Sequence, residues 1–167
     1  MDAREFFDAD GYFRQLHAAN RMAAAEGFVY CTCSGINTLE GVLDSFRTAG
    51  AFFCVDDTND GALFQGRGGG WYKKRTFTVF IMHRYAFSDM ESRAKALGKC
   101  RTLFRQVMSR MLIDAEDMSN ELVYLHTEKV LSRELGQYFI NGCTGLYFMI
   151  DVSEPVDLRY DDAEWTE

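Results

Sequence analysis

The chain has 167 residues, 47% of them apolar and 14% aromatic, with a formal net charge of −7 at pH 7. That length suits one domain, and the apolar share excludes a disordered chain. A sequence pI near 5.0 argues against a dedicated DNA-binding protein, and the early charges Asp2, Arg4 and Glu5 leave no apolar run for a secretion signal.

Taken in order, Asp10 to Glu26 reads as an N-terminal helix with Phe13, Leu16, Asn20 and Ala23–Ala24 on one face. Gly27 is its stop, and the preceding Arg4–Asp8 piece is a separate short turn because Gly11 interrupts it. Phe28–Cys33 reads as a strand. Asn37 with Glu40 three residues later forms a capping-box pattern, which predicts a short helix to about Arg47 closed by Gly50.

Ala51–Val55 has strand character, and the run Asp56 to Gly61 is turn chemistry. Ala62–Gln65 is expected to pair back on Ala51–Val55 as a hairpin. Gly66 to Gly70 reads as a flexible connection, with a mobile loop over about 66–74. Trp71 to Tyr85 then makes a long strand, with Phe77, Val79 and Ile81 on one face and Thr76, Thr78, Phe80 and Met82 on the other. Both faces are partly apolar, which places it centrally in a sheet.

Asp89 caps a helix predicted to run to about Ile113. Met90, Ala94, Leu97, Cys100, Phe104, Val107, Met108 and Met111 recur there at three- and four-residue steps. Leu122–Val130 is a strand or loop, and Gln137–Ile140 and Leu146–Val152 read as strands joined around Asn141-Gly142. An acidic tail follows from about Pro155. The pattern is α+β: a mainly antiparallel sheet, one long amphipathic helix packed on a face, and an N-terminal helix, in a single domain 1–167.

Charge is segregated along this order. Residues 66–110 hold eleven of the eighteen Lys and Arg and only two acids, Asp89 and Glu91, so that segment carries +9 and the remainder −16. Such a segment faces an acidic surface of another subunit, a nucleic acid, or the chain's own acidic parts. Arg67, Trp71, Tyr72, Lys73, Lys74, Lys95, Lys99 and Arg110 are the candidate residues of a partner surface or of a DNA-lined lumen.

Motifs for chemistry are weak by comparison. From Gly66 the sixth position is Trp71, which breaks both the G-x-x-x-x-G-K-[ST] and the G-x-G-x-x-G spacing, and a strand follows in place of a helix. The Asp56–Gly61 run has calcium-loop spacing at its start but Arg67 where a bidentate Glu belongs. Cys31-x-Cys33 is at most half of a metal site, with Cys54 able to approach from a neighbouring strand. His126-x-Glu128 lacks the P-C-x-x-C of zinc deaminases. His17, His83 and His126 stand singly, and G-x-S-x-G is absent. No catalytic, cofactor-binding or metal-ligating residue is therefore assigned. Five cysteines without a paired framework are expected to be reduced and buried in a cytoplasmic protein. The longest uncharged apolar stretch, Phe139 to Ile150, is too short to span a bilayer, so no membrane partner is expected.

The arrangement from Ala51 to Val152 resembles the tail terminator (tail-completion) family of long-tailed bacteriophages. The corresponding pieces are Ala51–Asp57, Trp71–Phe87, Asp89–Ile113 and Leu146–Val152, within a span that covers about 60% of the chain. The resemblance implies a non-enzymatic virion-assembly role in a bacterial host. It also implies a ring, usually hexameric, that caps the tail tube, meets head-neck proteins and passes DNA without reading it. A head-completion or other minor virion protein would share the pattern. Two other readings fit the same residues: a nucleic-acid-binding module using the 66–110 surface, and a small-molecule enzyme whose site is assembled around His83 or His126 from distant residues.

Overall fold

The computed structural model describes residues 7–136 and 142–166. It has the expected α+β architecture, built on a seven-stranded, mostly antiparallel sheet. The elements run α1 (Ala9–Ala19), α2 (Arg21–Ala25), β1 (Phe28–Cys33), α3 (Ile36–Ser45), β2 (Ala51–Asp56), β3 (Asp60–Gln65), β4 (Trp71–Arg84), α4 (Met90–Ser119), β5 (Tyr124–Leu125), β6 (Leu131–Glu134) and β7 (Cys143–Pro155). A short 3-10 turn at Asp162–Glu164 follows.

The expected single helix over Asp10–Glu26 is broken in two. Asn20 adopts extended backbone and its side chain accepts from the Ala23 N–H at 2.8 Å, so it caps α2 while its own N–H closes α1 on His17. A residue able to bond its own backbone stops one helix and starts another. Gly11 does not interrupt α1. It lies in the first turn, donating its N–H to the capping carboxylate of Asp8 at 3.0 Å, and a Cβ there would collide with that carboxylate. Most of the expected Arg4–Asp8 turn, Arg4 to Phe6, lies outside the described residues, and Asp8 is the cap of α1. Gly27, at φ +69°, supplies the stop expected of it.

The capping box at Asn37 and Glu40 is not formed. The N-cap of α3 is Gly35 at φ +77° with no side-chain cap bond, and Thr38 bonds back to the carbonyls of Ser34 and Gly35. The helix ends at Ser45, two residues short of Arg47 and well before Gly50. It connects β1 to β2, the one parallel pair of the sheet, in the manner such a pair requires.

Sheet order is β1-β2-β4-β7-β5, with β3 also beside β4 and β6 also beside β7. Ala62–Gln65 does not pair back on β2. β3 continues along the same flank of β4 as β2: Val55 stands opposite Val79, and Asp60 opposite Thr76. The outer strand therefore advances five residues where β4 advances three. The Asp57–Asn59 turn is thus a two-residue bulge in one long interrupted strand, not a hairpin turn. The hairpin closes instead at Gly66–Gly70, between Gln65 and Trp71, so Trp71–Lys74 belong to β4 and not to a loop.

β4 and β7 pair over thirteen residues and form the centre of the sheet. Phe77, Val79 and Ile81 of β4 and Leu146, Phe148, Ile150 and Val152 of β7 face α4, joined there by Phe13 and Leu16 of α1. α4 runs to Ser119, beyond the expected Ile113, and buries Leu97, Cys100, Leu103, Val107 and Met111. Met90 and Ala94, expected on that stripe, lie at the exposed start of the helix. At about 1.5–3 kcal/mol for each large apolar side chain fully buried, this stripe is the main hold of α4 on the sheet. On the opposite face, α3 lays Leu39 and Leu43 over Cys31, Cys33, Phe52, Cys54, Phe80 and Met82. It covers only the β1–β2 end. The Leu122–Val130 segment contributes just Tyr124–Leu125, and the expected Gln137–Ile140 strand falls outside the described residues.

Candidate functional site

The expected basic surface is divided and largely neutralised. Arg67, Trp71, Tyr72, Lys73 and Lys74 sit together on the β3–β4 hairpin, but Lys95, Lys99 and Arg110 lie on α4, elsewhere on the molecule. Lys95 pairs with Glu91 at 2.9 Å, Lys99 with Glu26 at 2.6 Å and Arg110 with Asp114 at 2.8 Å. Lys74 pairs with Asp151 at 3.2 Å, and Arg101 clamps Glu134 through two bonds of 2.6 and 2.9 Å. Arg101 in turn holds the Glu134 carboxyl below the usual carboxylate range, as Lys99 does for Glu26. Of the three destinations open to the charge, the chain's own acids take most of it.

One of these pairs is buried. Arg75 donates to Glu154 Oε1 at 2.8 Å and to the Phe7 carbonyl at 2.8 Å, with side chains 8% and 5% exposed. The pair fixes the chain ahead of α1 to the sheet. Among the described residues, the cations of segment 66–110 with no acid within 4.0 Å and no side-chain bond are Arg67, Lys73 and Arg105. Two of the three flank the hairpin.

The hairpin tip does not present a phosphate cradle. Gly66 N–H is spent on the Gly70 carbonyl at 2.8 Å, Gly69 N–H on Gly66 at 2.9 Å, and Gln65 Nε2 on the Gly69 carbonyl at 3.0 Å. Gly69 takes φ +87°, which is why the tip needs glycine.

What the hairpin does present is apolar. Every residue of β3 is exposed, and Leu63, Phe64 and Trp71 are 55%, 40% and 44% exposed. Phe64 stacks on Tyr72 at 5.5 Å, and Tyr72 lies 6.3 Å from Tyr124, so an aromatic row crosses this end of the uncovered sheet face. Among the described residues, β3 has β4 on one side and no strand on the other. The tail leaves from the same end: Val156 N–H bonds the Trp71 carbonyl at 3.0 Å, after which Leu158, Tyr160 and Trp165 are exposed.

His126 is not isolated, contrary to the reading of three single histidines. Its Nε2 lies 2.8 Å from Ser153 Oγ and its Nδ1 3.1 Å from Glu128 Oε1. This is the acid–imidazole–hydroxyl order of a hydrolase triad. The surroundings do not support that chemistry. Ser153 is 2% exposed, and β7 is paired at its level by both β4 and β5, so the nearby N–H groups serve the ladders and not an oxyanion. The arrangement instead ties the His126 segment to β7, next to Asp151. Burial raises the Asp151 carboxyl, but the Thr76 and Lys74 bonds outweigh it and hold the group below its ordinary range.

Clefts are also present among the described residues. One of about 380 Å³ lies beside His83, Ser92, Lys95 and Lys99, with His83 Nδ1 2.7 Å from the Arg84 carbonyl. Another, about 460 Å³, lies between α1 and α4, where Tyr12 donates to Asp114 at 3.0 Å. Burial and the Asp114 charge push the Tyr12 hydroxyl well above its usual range, so it stays a donor. Cys31, Cys33 and Cys54 share one buried face under α3, Cys31 directly beside Cys54. Among the described residues, no group of three or more His, Cys, Asp or Glu is placed to hold a metal ion, and no helix is long and apolar enough to cross a membrane.

The chain was compared with known families and with curated proteins: no family model matches it, and no curated protein is similar to it.

Proposed function

We propose that the chain is a non-enzymatic structural subunit of a homo-oligomer, of the kind found in a bacteriophage tail terminator or neck ring. The observation that carries this reading is β3. A six-residue edge strand with open backbone, exposed Leu63 and Phe64, and no Lys, Arg or Pro of its own is an aggregation liability in a monomer. Covered by a neighbouring subunit, it becomes an interface. The exposed Trp71 and the free cations Arg67 and Lys73 extend the same patch, and an aromatic beside cations suits such a contact. The neutralisation of Lys95, Lys99 and Arg110 leaves DNA at most a non-specific contact with the hairpin.

Light scattering and native mass spectrometry, over a range of protein concentration and salt, test the oligomer. A species that stays monomeric at high concentration and low salt removes the reading. The viral part has its own test: tail-tube and tape-measure genes flanking the coding sequence support it, and unrelated metabolic neighbours count against it.

A further inference from the structure

The sheet and the segment after it are mismatched in a complementary way. Among the described residues β3 has no strand on its outer side, whereas Val156-Asp157-Leu158-Arg159-Tyr160-Asp161 alternates apolar and charged residues over six positions, the signature of a strand, and is in no sheet. Pro155 ends the β7 ladder just before it. We propose that Val156–Asp161 of one copy adds as a strand to the β3 edge of a second copy. This rests on the homo-oligomer reading and assigns its contact.

Charge selects this occupant. The tail segment 156–166 carries Asp157, Asp161, Asp162 and Glu164 against the single Arg159, which Asp157 already holds. Arg67 lies in the turn at the end of the edge and Lys73 one strand in, on β4 opposite Leu63; they are the two free cations of the hairpin. Faces match as well. Leu63 and Lys73 are cross-strand partners on the α4 side of the sheet, while Ala62 and Phe64 share the other side with Lys74 and Tyr72. A tail strand that lays Val156, Leu158 and Tyr160 beside Ala62 and Phe64 turns Asp157 and Asp161 toward Lys73. It also keeps both acids off the face that carries Asp60, and Arg159, which shares the acids' face, is held there by Asp157.

The tail cannot serve its own edge in this way. It leaves β7 on one side of β4, and β3 lies on the other. Reaching the outer side of β3 means crossing three strand spacings, about 14 Å at 4.8 Å each. At about 3.3 Å per residue, four of the six patterned residues are used before pairing starts. Donation between copies is head-to-tail, which closes as a ring when the rotation permits.

The test uses the full chain carrying Leu158→Asp and Tyr160→Asp, two exposed side chains whose replacement leaves the core untouched. A labelled peptide of residues 156–167 is titrated against it by fluorescence anisotropy, with amide hydrogen exchange followed over β3. Saturable binding, weakened at least tenfold by Lys73→Glu, with slowed exchange at Asp60–Gln65, is the expected result. No binding up to about 1 mM peptide, or binding that leaves β3 exchange unchanged, overturns the proposal. Light scattering separates the two readings. An unaltered chain that oligomerises, and a double variant that oligomerises equally, overturn strand donation while the homo-oligomer stands. A monomeric unaltered chain removes the homo-oligomer and strand donation with it.

Discussion

Replacing Glu154 by Gln takes the Glu154 charge away from the buried Arg75 guanidinium, at a position where both side chains are less than one-tenth exposed. Breaking a buried pair from one side costs about 3–5 kcal/mol, because an uncompensated charge stays out of water. Net stability for a domain of this class is about 5–15 kcal/mol, so the loss is a large fraction of the whole. At about 2–4 °C per kcal/mol for a chain of this length, Tm should fall by about 6–20 °C. The double replacement Arg75→Met with Glu154→Leu removes both charges and is expected to recover most of the loss, short of the bond Arg75 makes to the Phe7 carbonyl. Urea unfolding followed by circular dichroism measures all three chains. A Glu154→Gln loss below about 1 kcal/mol, or a double variant no better than the single one, would show that the pair is not held as a desolvated unit.

Gly145→Ala should be among the worst single changes in the chain. Gly145 sits at φ +145°, and its new Cβ would enter the Ile81 carbonyl across the β4–β7 ladder, so a loss of about 3 kcal/mol or more in urea unfolding is expected. The Asp151 carboxyl gives a pH signature. Its folded value lies below the ordinary 3.8, so its contribution is complete above that value and fades as pH falls through the folded one. Asp151→Asn should therefore lower the urea midpoint at pH 7, and the difference from the unaltered chain should shrink at pH 3; a constant difference would contradict the Thr76 and Lys74 contacts.

Elements with strong period were legible in the sequence: Trp71–Arg84, the apolar stripe of α4 and the Asp89 cap all follow from local pattern. Pairing was not. Ala62–Gln65 has the same strand character whether it folds back on β2 or runs on beside β4, and the two-residue bulge that decides between these has no residue signature. Asn20 was read as a helix-face residue, whereas its side chain caps α2 through the Ala23 N–H and reaches Gln106 of α4 at 2.9 Å, a partner that local pattern does not reveal. The basic segment misled for a similar reason. Asp151 and Glu154 are brought in by the β4–β7 pairing and Glu26 and Glu134 by the packing of α4, all remote in sequence, while Lys95 and Arg110 take Glu91 and Asp114 one helical turn away. One signal was present: Glu154 continues the apolar positions Leu146, Phe148, Ile150 and Val152, and a carboxylate in that row requires a buried cation. The hairpin residues stayed together because they are neighbours in sequence, whereas Lys95, Lys99 and Arg110 were grouped with them by charge alone.

The five cysteines give the molecule a built-in clock. All are buried and unpaired, Cys31, Cys33 and Cys54 beneath α3 and Cys100 against the sheet under α4. Burial pushes the Cys100 thiol up to about 12, which withholds the thiolate that alkylating reagents attack. The Cys100 thiol therefore reacts only when α4 lifts, whereas Cys31, held below its usual range by its bond with Cys54, is protected by burial alone. The order in which they become labelled under native conditions ranks the opening of the two cores, and one cysteine added at an exposed site is the fast-reacting thiol of the folded chain.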